Sequence, residues 1–355
     1  MSILTRYILK KYLLNFIVVL VSLELFFVGI DFLQNFKKLP DSANLQLLYV
    51  LYNGFFTLTL ALPLSIVFGW IVTLVIFIKN NELVAFNALG SRSKDIYAPV
   101  VKISLFLITL LILMQATPLA YSYEQKRKIL HNEYFTSTKS DIFLKYNNNY
   151  VYFKKLLPLE KKAEGIHIYK VENKDIVQTI IAKNAYFQNN KWYVVDAKII
   201  NKPQNLDQET AKLNIKYEKF LNTLEGFKPK ILDNVYDTKS NFSVIDAISA
   251  LVLLSNQGIN TDKIRGALYN QVIVSFFVIP ILLLVFAYAS LNSRFFNVGK
   301  FTSLSIFGTL IIWGVFFMLF KFTSGGILLP EISILVPFIL WITGSLLFYN
   351  KKMDT

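Results

Sequence analysis

Cysteine is absent from the sequence, and histidine occurs only twice, at His131 and His167. Without cysteine the chain can form neither a disulfide nor a thiolate metal site. Neither histidine has a second histidine or a carboxylate cluster at metal-ligand spacing. The sequence therefore predicts no metal and no cofactor.

Charged residues are also scarce. They make up 17% of the 355 residues, against about a quarter in soluble domains, while 54% are hydrophobic. This balance places the chain among membrane proteins. Its net charge of +14 is spread along membrane flanks and the middle of the chain, which favours contact with lipid and predicts no nucleic-acid partner.

Sequence signatures of catalysis are missing. The chain contains no P-loop, no H-E-x-x-H, no G-x-S-x-G and no Asp-rich magnesium-binding run. We therefore expect no enzyme activity, and any uphill transport must take its energy from a partner or an ion gradient.

Long apolar runs are abundant. Six of them are long enough to cross a bilayer of about 30 Å at 1.5 Å per residue, so we expect six transmembrane helices. The predicted crossings are residues 12–32, 47–78, 96–120, 267–291, 301–320 and 332–349.

Basic residues suggest the orientation of these crossings. Arg6, Lys10 and Lys11 precede the first run and no small-residue cleavage site follows it, which predicts an uncleaved anchor with a cytoplasmic N-terminus. Six crossings then place both termini in the cytoplasm and one large loop, about 121–266, outside. The basic residues of the inside loops agree with this bias; they are Lys79, Arg92, Lys94, Arg294, Lys300, Lys351 and Lys352.

The outside loop alternates apolar and polar residues with a period of two, separated by turn-forming residues. This pattern predicts an antiparallel β domain, as a sandwich, jelly roll or open barrel, followed by a short helix over about 244–257. We predict three parts: 1–120 with the first three crossings, 121–240 with the β domain, and 241–355 with the connecting helix and the last three crossings. The predicted strands cover 150–153, 165–171, 176–187, 192–200 and 213–220.

Two acids lie inside the first crossing, Glu24 near its middle and Asp31 near its outer end. Seven residues apart, they project from nearly the same helix face. A charge at bilayer depth is costly unless it pairs, protonates or meets water. They could therefore line a substrate path; alternatively, a protonated Glu24 makes an interhelical hydrogen bond and Asp31 is solvated at the interface.

The connector between the second and third crossings predicts a short amphipathic helix over about 81–90. Glu82 stands at its start, where the helix dipole favours an acid, and Gly90 at its end, where a left-handed cap is common. Such a helix is able to dock into a groove on a soluble ATPase. The alternative is an interfacial helix with no partner.

The stretch from Asn81-Glu82-Leu83 to Ala88-Leu89-Gly90 resembles the coupling helix of the LptF/LptG family, the lipopolysaccharide export permeases. The resemblance extends over nearly the whole chain, including the β domain between crossings three and four. The residues that carry it are Arg6-Tyr7 before the first crossing, Leu62-Pro63-Leu64 in the second, Pro118 after the third and Gly258 before the fourth. Two further segments are more similar to LptG than to LptF, namely Gly165-Ile166-His167-Ile168-Tyr169 and Ile30-Asp31 followed by Lys37-Lys38.

The resemblance implies a multi-pass inner-membrane permease subunit with a periplasmic β jelly roll. Its implied partners are an LptF-like subunit, an LptB-like ATPase dimer, and LptC- and LptA-like periplasmic proteins that receive lipopolysaccharide. Carried over, the ATPase-coupling residues are Glu82, Leu83, Phe86, Leu89 and Gly90, and the lipid-path candidates are Glu24, Asp31, Lys37 and Lys38. One departure is Val28, which stands where LptG members often carry a basic residue.

Two other functions fit six crossings and a β domain. A membrane enzyme that modifies lipid or glycan at the outer face needs clustered acids or histidines there, and the candidates Asp31, Asp41 and Glu331 are scattered. A signalling or scaffold protein usually carries a cytoplasmic output domain, and every predicted cytoplasmic segment is short.

Overall fold

The fold is known from a computed structural model. The residues it describes are 3–132, 139–146, 149–157, 160–172, 175–203, 213–227, 242–254, 261–289 and 296–353. They divide into two compact units, one helical and one containing a β-sheet. Gly258, which contributes to the family resemblance, lies outside the described residues.

Ten α-helices are formed by the described residues, and they supply six spans long and apolar enough to cross a membrane. This confirms the six predicted crossings. The helices are α1 Ile3–Asn35, α2 Ala43–Lys79, α3 Glu82–Ala88, α4 Ser93–Gln115, α5 Ser122–Leu130, α6 Val244–Leu254, α7 Asp262–Val272, α8 Val278–Tyr288, α9 Val298–Ser324 and α10 Val336–Met353.

Helix α2 lies at the centre of the helical unit and packs closely against α1. Gly69 allows this approach, because a Cβ at that position would lie 2.8 Å from the Cα of Phe16. At the next residue along α2, buried Trp70 donates its indole N–H to the carbonyl of Leu282 on α8 at 3.2 Å. Small residues and interhelical hydrogen bonds of this kind hold helices together where lipid removes the hydrophobic drive.

The fourth crossing is interrupted. Helix α7 ends at Val272, a 3₁₀ turn covers Val274–Phe277, and α8 begins at Val278. Pro280 is the third residue of α8, where a missing backbone N–H costs no intrahelical bond. The interruption is therefore a change of helix type just before Pro280.

The β unit contains one six-stranded antiparallel sheet in which each strand pairs with the next along the chain. The inserted antiparallel β domain is thus confirmed, while the jelly-roll arrangement stays a prediction. Strand β1 lies outside the five predicted strands. The strands are β1 Lys139–Tyr146, β2 Asn149–Leu157, β3 Lys162–Glu172, β4 Asp175–Gln188, β5 Lys191–Asn201 and β6 Asn214–Thr223.

One face of the sheet buries a core of aliphatic and aromatic side chains. Trp192 in β5 is fully buried there, stacks at an angle on Phe153 of β2, and donates its indole N–H to the carbonyl of Phe227 at 2.7 Å. A buried indole needs such an acceptor. In contrast, nearly every residue of β6 is exposed or half-exposed.

Candidate functional site

Helix α3 occupies the connector between the second and third spans, from Glu82 to Ala88. Its end is fixed by Gly90, whose φ of 77° is the left-handed conformation that the sequence predicts. The amide of Ser91 bonds the carbonyl of Phe86 at 3.0 Å and the amide of Gly90 bonds that of Asn87 at 2.9 Å. These two bonds form a Schellman cap, so α3 stops at a defined residue.

The inner face of α3 packs into the chain's own core. Leu83 is only 2% exposed and Phe86 is 9% exposed. The ring of Phe86 meets the edge of Phe77 on α2 at 5.6 Å between centroids, and that of Tyr7 on α1 at 6.3 Å. Edge-to-face contacts of this kind add to the area that the rings bury. Leu83 and Phe86 therefore anchor the helix and are not accessible to a partner in this conformation.

Glu82 also bonds within the chain. Its Oε2 accepts the Tyr7 hydroxyl at 2.9 Å and its Oε1 accepts the Asn80 side-chain amide at 3.0 Å. The outer side of α3 remains uncovered, with Leu89 81% exposed and Val84 also exposed. Of the five predicted coupling residues, Leu89 is thus the apolar one available to another protein, and Glu82 joins α3 to α1.

Glu24 faces α2, where its carboxylate accepts a hydrogen bond from the Thr57 hydroxyl. The carboxylate is half-buried and Thr57 is buried. This is the interhelical hydrogen bond that the sequence analysis offers as one interpretation of Glu24. Its lipid-path role stays a prediction.

Asp31 belongs to a polar cluster that sequence reasoning missed. Its Oδ1 lies 2.8 Å from the ammonium of Lys126 on α5, and its other oxygen accepts the Tyr49 hydroxyl from α2. The same ammonium donates to Oδ1 of Asn53 at 2.8 Å. We call Asp31, Tyr49, Asn53 and Lys126 the Asp31 cluster. It joins α1, α2 and α5.

Lys126 is the charged centre of the Asp31 cluster, and its side chain is only 8% exposed. The ammonium lies over the rings of Phe56, Tyr49 and Tyr123 at 5.4 to 5.9 Å from their centroids. Cation–π attraction strengthens when water is removed. A buried charge is tolerated only when paired and hydrogen-bonded, and the Asp31 cluster supplies both conditions.

Lys37 and Lys38 lie in a 3₁₀ turn that follows α1, and both are exposed. Among the residues that the structure describes, neither makes an ion pair. They are therefore separate from the Asp31 cluster. Lys37 and Lys38 are free to meet an anion, and their lipid-path role stays a prediction.

The acids that an outer-face enzyme would need have other partners. Asp31 pairs with Lys126, and Glu331 pairs with Arg265 and accepts from the Tyr269 hydroxyl at 3.4 Å. Within the described ranges, no three histidine, aspartate or glutamate side chains group as metal ligands would.

No curated protein matches the chain. The family described as lipopolysaccharide export system permease LptF/LptG matches residues 6–351, nearly the whole chain. Because the match covers nearly its whole length, this chain, with six membrane spans and an inserted β domain, belongs to the LptF/LptG family of lipopolysaccharide export permeases.

Proposed function

We propose that this chain is the permease subunit of an ABC transporter that extracts lipopolysaccharide from the inner membrane. A separate cytoplasmic ATPase dimer of the LptB type supplies the energy, and the chain itself catalyses no reaction. A second, LptF-like permease subunit completes the transporter, with this chain in the LptG position.

The observation that carries the proposal is the attachment of α3. Its inner face is fixed to α2 through Phe86 and Phe77, and its first residue is bonded to α1 through Glu82 and Tyr7. Its outer face offers Leu89. A helix exposed on one side and fixed on the other transmits a push from a partner to two membrane helices.

Helix α1 connects this push with the predicted lipid path. Glu24 and Asp31 lie on α1, and Tyr7 precedes Asp31 by 24 residues, about 36 Å along a helix axis. Much of the remaining surface of α1 is apolar and exposed, as in α9. The exposed residues include Leu14, Val18 and Leu25 on α1 and Leu304, Phe307 and Ile311 on α9. These faces suit a cavity that α1 and α9 border with the second permease subunit.

The remaining elements of the proposal concern topology and delivery. Both termini and α3 are cytoplasmic, and the β-sheet, whose strands run from Lys139 to Thr223, is periplasmic. There it acts as a jelly roll that passes the lipid to LptC- and LptA-like proteins. Lys37 and Lys38, exposed after α1, receive the anionic part of the lipid at the periplasmic end.

The proposal is tested with variants that change either the exposed face or the buried face of α3. Leu89→Ser removes the exposed apolar side chain and is expected to leave thermal stability unchanged while it reduces co-purification of the ATPase at least fivefold. Glu82→Ala is expected to lower export as well, with some loss of stability, because it breaks the bond to Tyr7. The readouts are subunit pull-down from membranes and lipopolysaccharide export in cells.

Phe86→Ala is the matched control on the same helix. It truncates a buried ring and is expected to lower stability by about 3 kcal/mol, so its effect on the ATPase follows from misfolding of α3. Full recruitment and export by both Leu89→Ser and Glu82→Ala would refute the coupling role.

A further inference from the structure

A groove between α1 and α4 plays no part in the proposed export mechanism. It has a volume of about 570 Å³, within the range of about 300–1,000 Å³ that is typical of small-molecule sites. It lies where α1 and α4 both begin, and therefore at the membrane face that carries the start of each helix. Its lining residues are Thr5, Leu9, Arg92, Lys94, Asp95, Ala98, Pro99, Lys102, Ile103 and Phe106.

The charged end of the groove is basic. Three cations, Arg92, Lys94 and Lys102, face a single acid, Asp95. Asp95 is already engaged, because its Oδ2 accepts the backbone amide of Arg92 at 3.1 Å and lies 3.6 Å from the guanidinium Nε. Among the described residues, neither lysine makes an ion pair. Lys94 and Lys102 thus leave a surplus of positive charge at the start of α4, where the helix dipole also favours an anion.

Lys102 reaches this charged end from deeper in the membrane. It stands eight residues after Lys94, about 12 Å along the helix axis. Side chains on a helix lean toward its N-terminus, and a long lysine extends its ammonium toward the polar interface. The small residues Ala98 and Pro99 leave the intervening surface open.

The other end of the groove is apolar. Leu9 on α1 and Ile103 and Phe106 on α4 line it, and Phe106 is 61% exposed. One helical turn or more further into the membrane, Leu110 and Leu113 continue the exposed apolar surface of α4. The groove therefore changes from cationic to apolar in the direction that leads from a headgroup to its acyl chains.

We propose that this groove binds an anionic phospholipid, with the phosphate between Lys94 and Lys102 and an acyl chain along Leu9 and Phe106. Basic pockets between membrane helices are suited to anionic headgroups, and the apolar end distinguishes a lipid from free phosphate. The site is separate from the predicted lipopolysaccharide path, since Asp31, Lys37 and Lys38 lie at the opposite end of α1. It does not depend on which molecule the permease exports.

The experiment measures binding of phosphatidylglycerol to the purified full-length protein in detergent, by native mass spectrometry. The variant Lys94→Gln/Lys102→Gln is compared with Lys79→Gln/Lys300→Gln, which removes two exposed lysines from the same membrane face outside the groove. Each lysine near an anionic lipid contributes a factor of about five. With two lysines removed, we expect the groove variant to bind about twenty-five-fold more weakly and the control to change less than twofold.

Two further ligands and one further variant test which class of molecule the groove binds. Phosphatidylcholine, with the same acyl chains, and soluble glycerol phosphate are each expected to bind at least tenfold more weakly than phosphatidylglycerol. Phe106→Ala is expected to weaken lipid binding and leave glycerol phosphate unaffected. All variants are first compared for monodisperse elution and thermal stability.

Three results would overturn the proposal. In the first, the groove and control variants bind phosphatidylglycerol equally. In the second, phosphatidylcholine or glycerol phosphate binds to the protein as tightly as phosphatidylglycerol does. In the third, Lys94→Gln/Lys102→Gln retains the lipid but loses co-purifying ATPase, which would make the groove a protein-docking face. The last result would leave the export function standing, so the two hypotheses fail separately.

Discussion

Lys126 places a charge in the protein interior, because its side chain is only 8% exposed. Its ammonium reaches Asp31 from a position 95 residues further along the chain. In the sequence it stands in a polar segment after the third crossing, typical of a solvated surface helix. Only the packing of α5 against α2 shows that it is buried, and no local pattern reveals that packing. The sequence predicts that Asp31 needs a partner, because Asp31 lies inside a predicted crossing. It does not predict that this partner is Lys126.

The Asp31–Lys126 pair is expected to be worth far more than a surface ion pair. Lys126→Met leaves the Asp31 carboxylate without its cation, and breaking a buried pair from one side costs about 3 kcal/mol. Lys37→Met, at an exposed lysine that follows the same helix, is expected to change stability by less than about 0.5 kcal/mol. The measurement is the free energy of unfolding in mixed micelles.

A double-mutant cycle separates pairing from simple loss of packing. In Lys126→Met/Asp31→Asn the uncompensated charge is gone, so stability is expected to recover by about 1–2 kcal/mol relative to the single variant. If the two single losses simply add, the pair contributes no coupling energy and the ion-pair interpretation of the Asp31 cluster is wrong.

Helix α3 shows which parts of an element a sequence can specify. Its acidic start and glycine end were predictable, since capping is local chemistry. Which face of α3 turns toward the core was not predictable. Leu83, Phe86 and Leu89 are all apolar, and only packing against Tyr7 and Phe77 determines which face is buried. The sequence predicts that all three residues contact a partner, whereas in the structure Leu89 is the one of the three that is exposed enough to do so.

The strands also divide into five that the sequence predicts and one, β1, that it does not predict. The five predicted strands alternate clearly, whereas β1 was missed because its apolar Phe143 is exposed, while Ile142 before it and Tyr146 three positions after it are buried. An apolar residue on the solvent side breaks the period-two signal. Segment 139–146 owes its strand conformation to pairing with β2, which is a tertiary effect.

The close approach of α1 and α2 beside Phe16 requires a residue without a side chain at position 69. Gly69→Ala places a methyl group 2.8 Å from the Cα of Phe16, so the helices must separate, at a cost of about 1–3 kcal/mol. Gly54→Ala on the same helix meets nothing within 4 Å and is expected to be neutral or slightly stabilising. Thermal unfolding of the two variants side by side is the measurement. Equal melting temperatures would show that the close approach at Gly69 does not limit stability.

At the scale of the whole molecule, the contacts of α1 form a continuous mechanical connection. Near its start, Tyr7 bonds Glu82 on α3; near its end, Asp31 bonds Lys126 on α5, the last helix before the β-sheet. A displacement of α3 along or across the membrane would thus act on both ends of α1.

The proposed connection requires α3 and the β-sheet to lie on opposite sides of the membrane. The natural absence of cysteine makes this directly testable with single cysteines at exposed positions. Lys219→Cys in β6 is expected to react with a membrane-impermeant maleimide in spheroplasts. Leu89→Cys after α3 is expected to react only after the membrane is permeabilised. If α1, α2 and α4 each cross the membrane once, the start of the chain and the sheet lie on opposite sides, whichever way the protein inserts. Labelling of Leu89→Cys from outside would therefore invert the whole topology, and no cytoplasmic ATPase could reach α3.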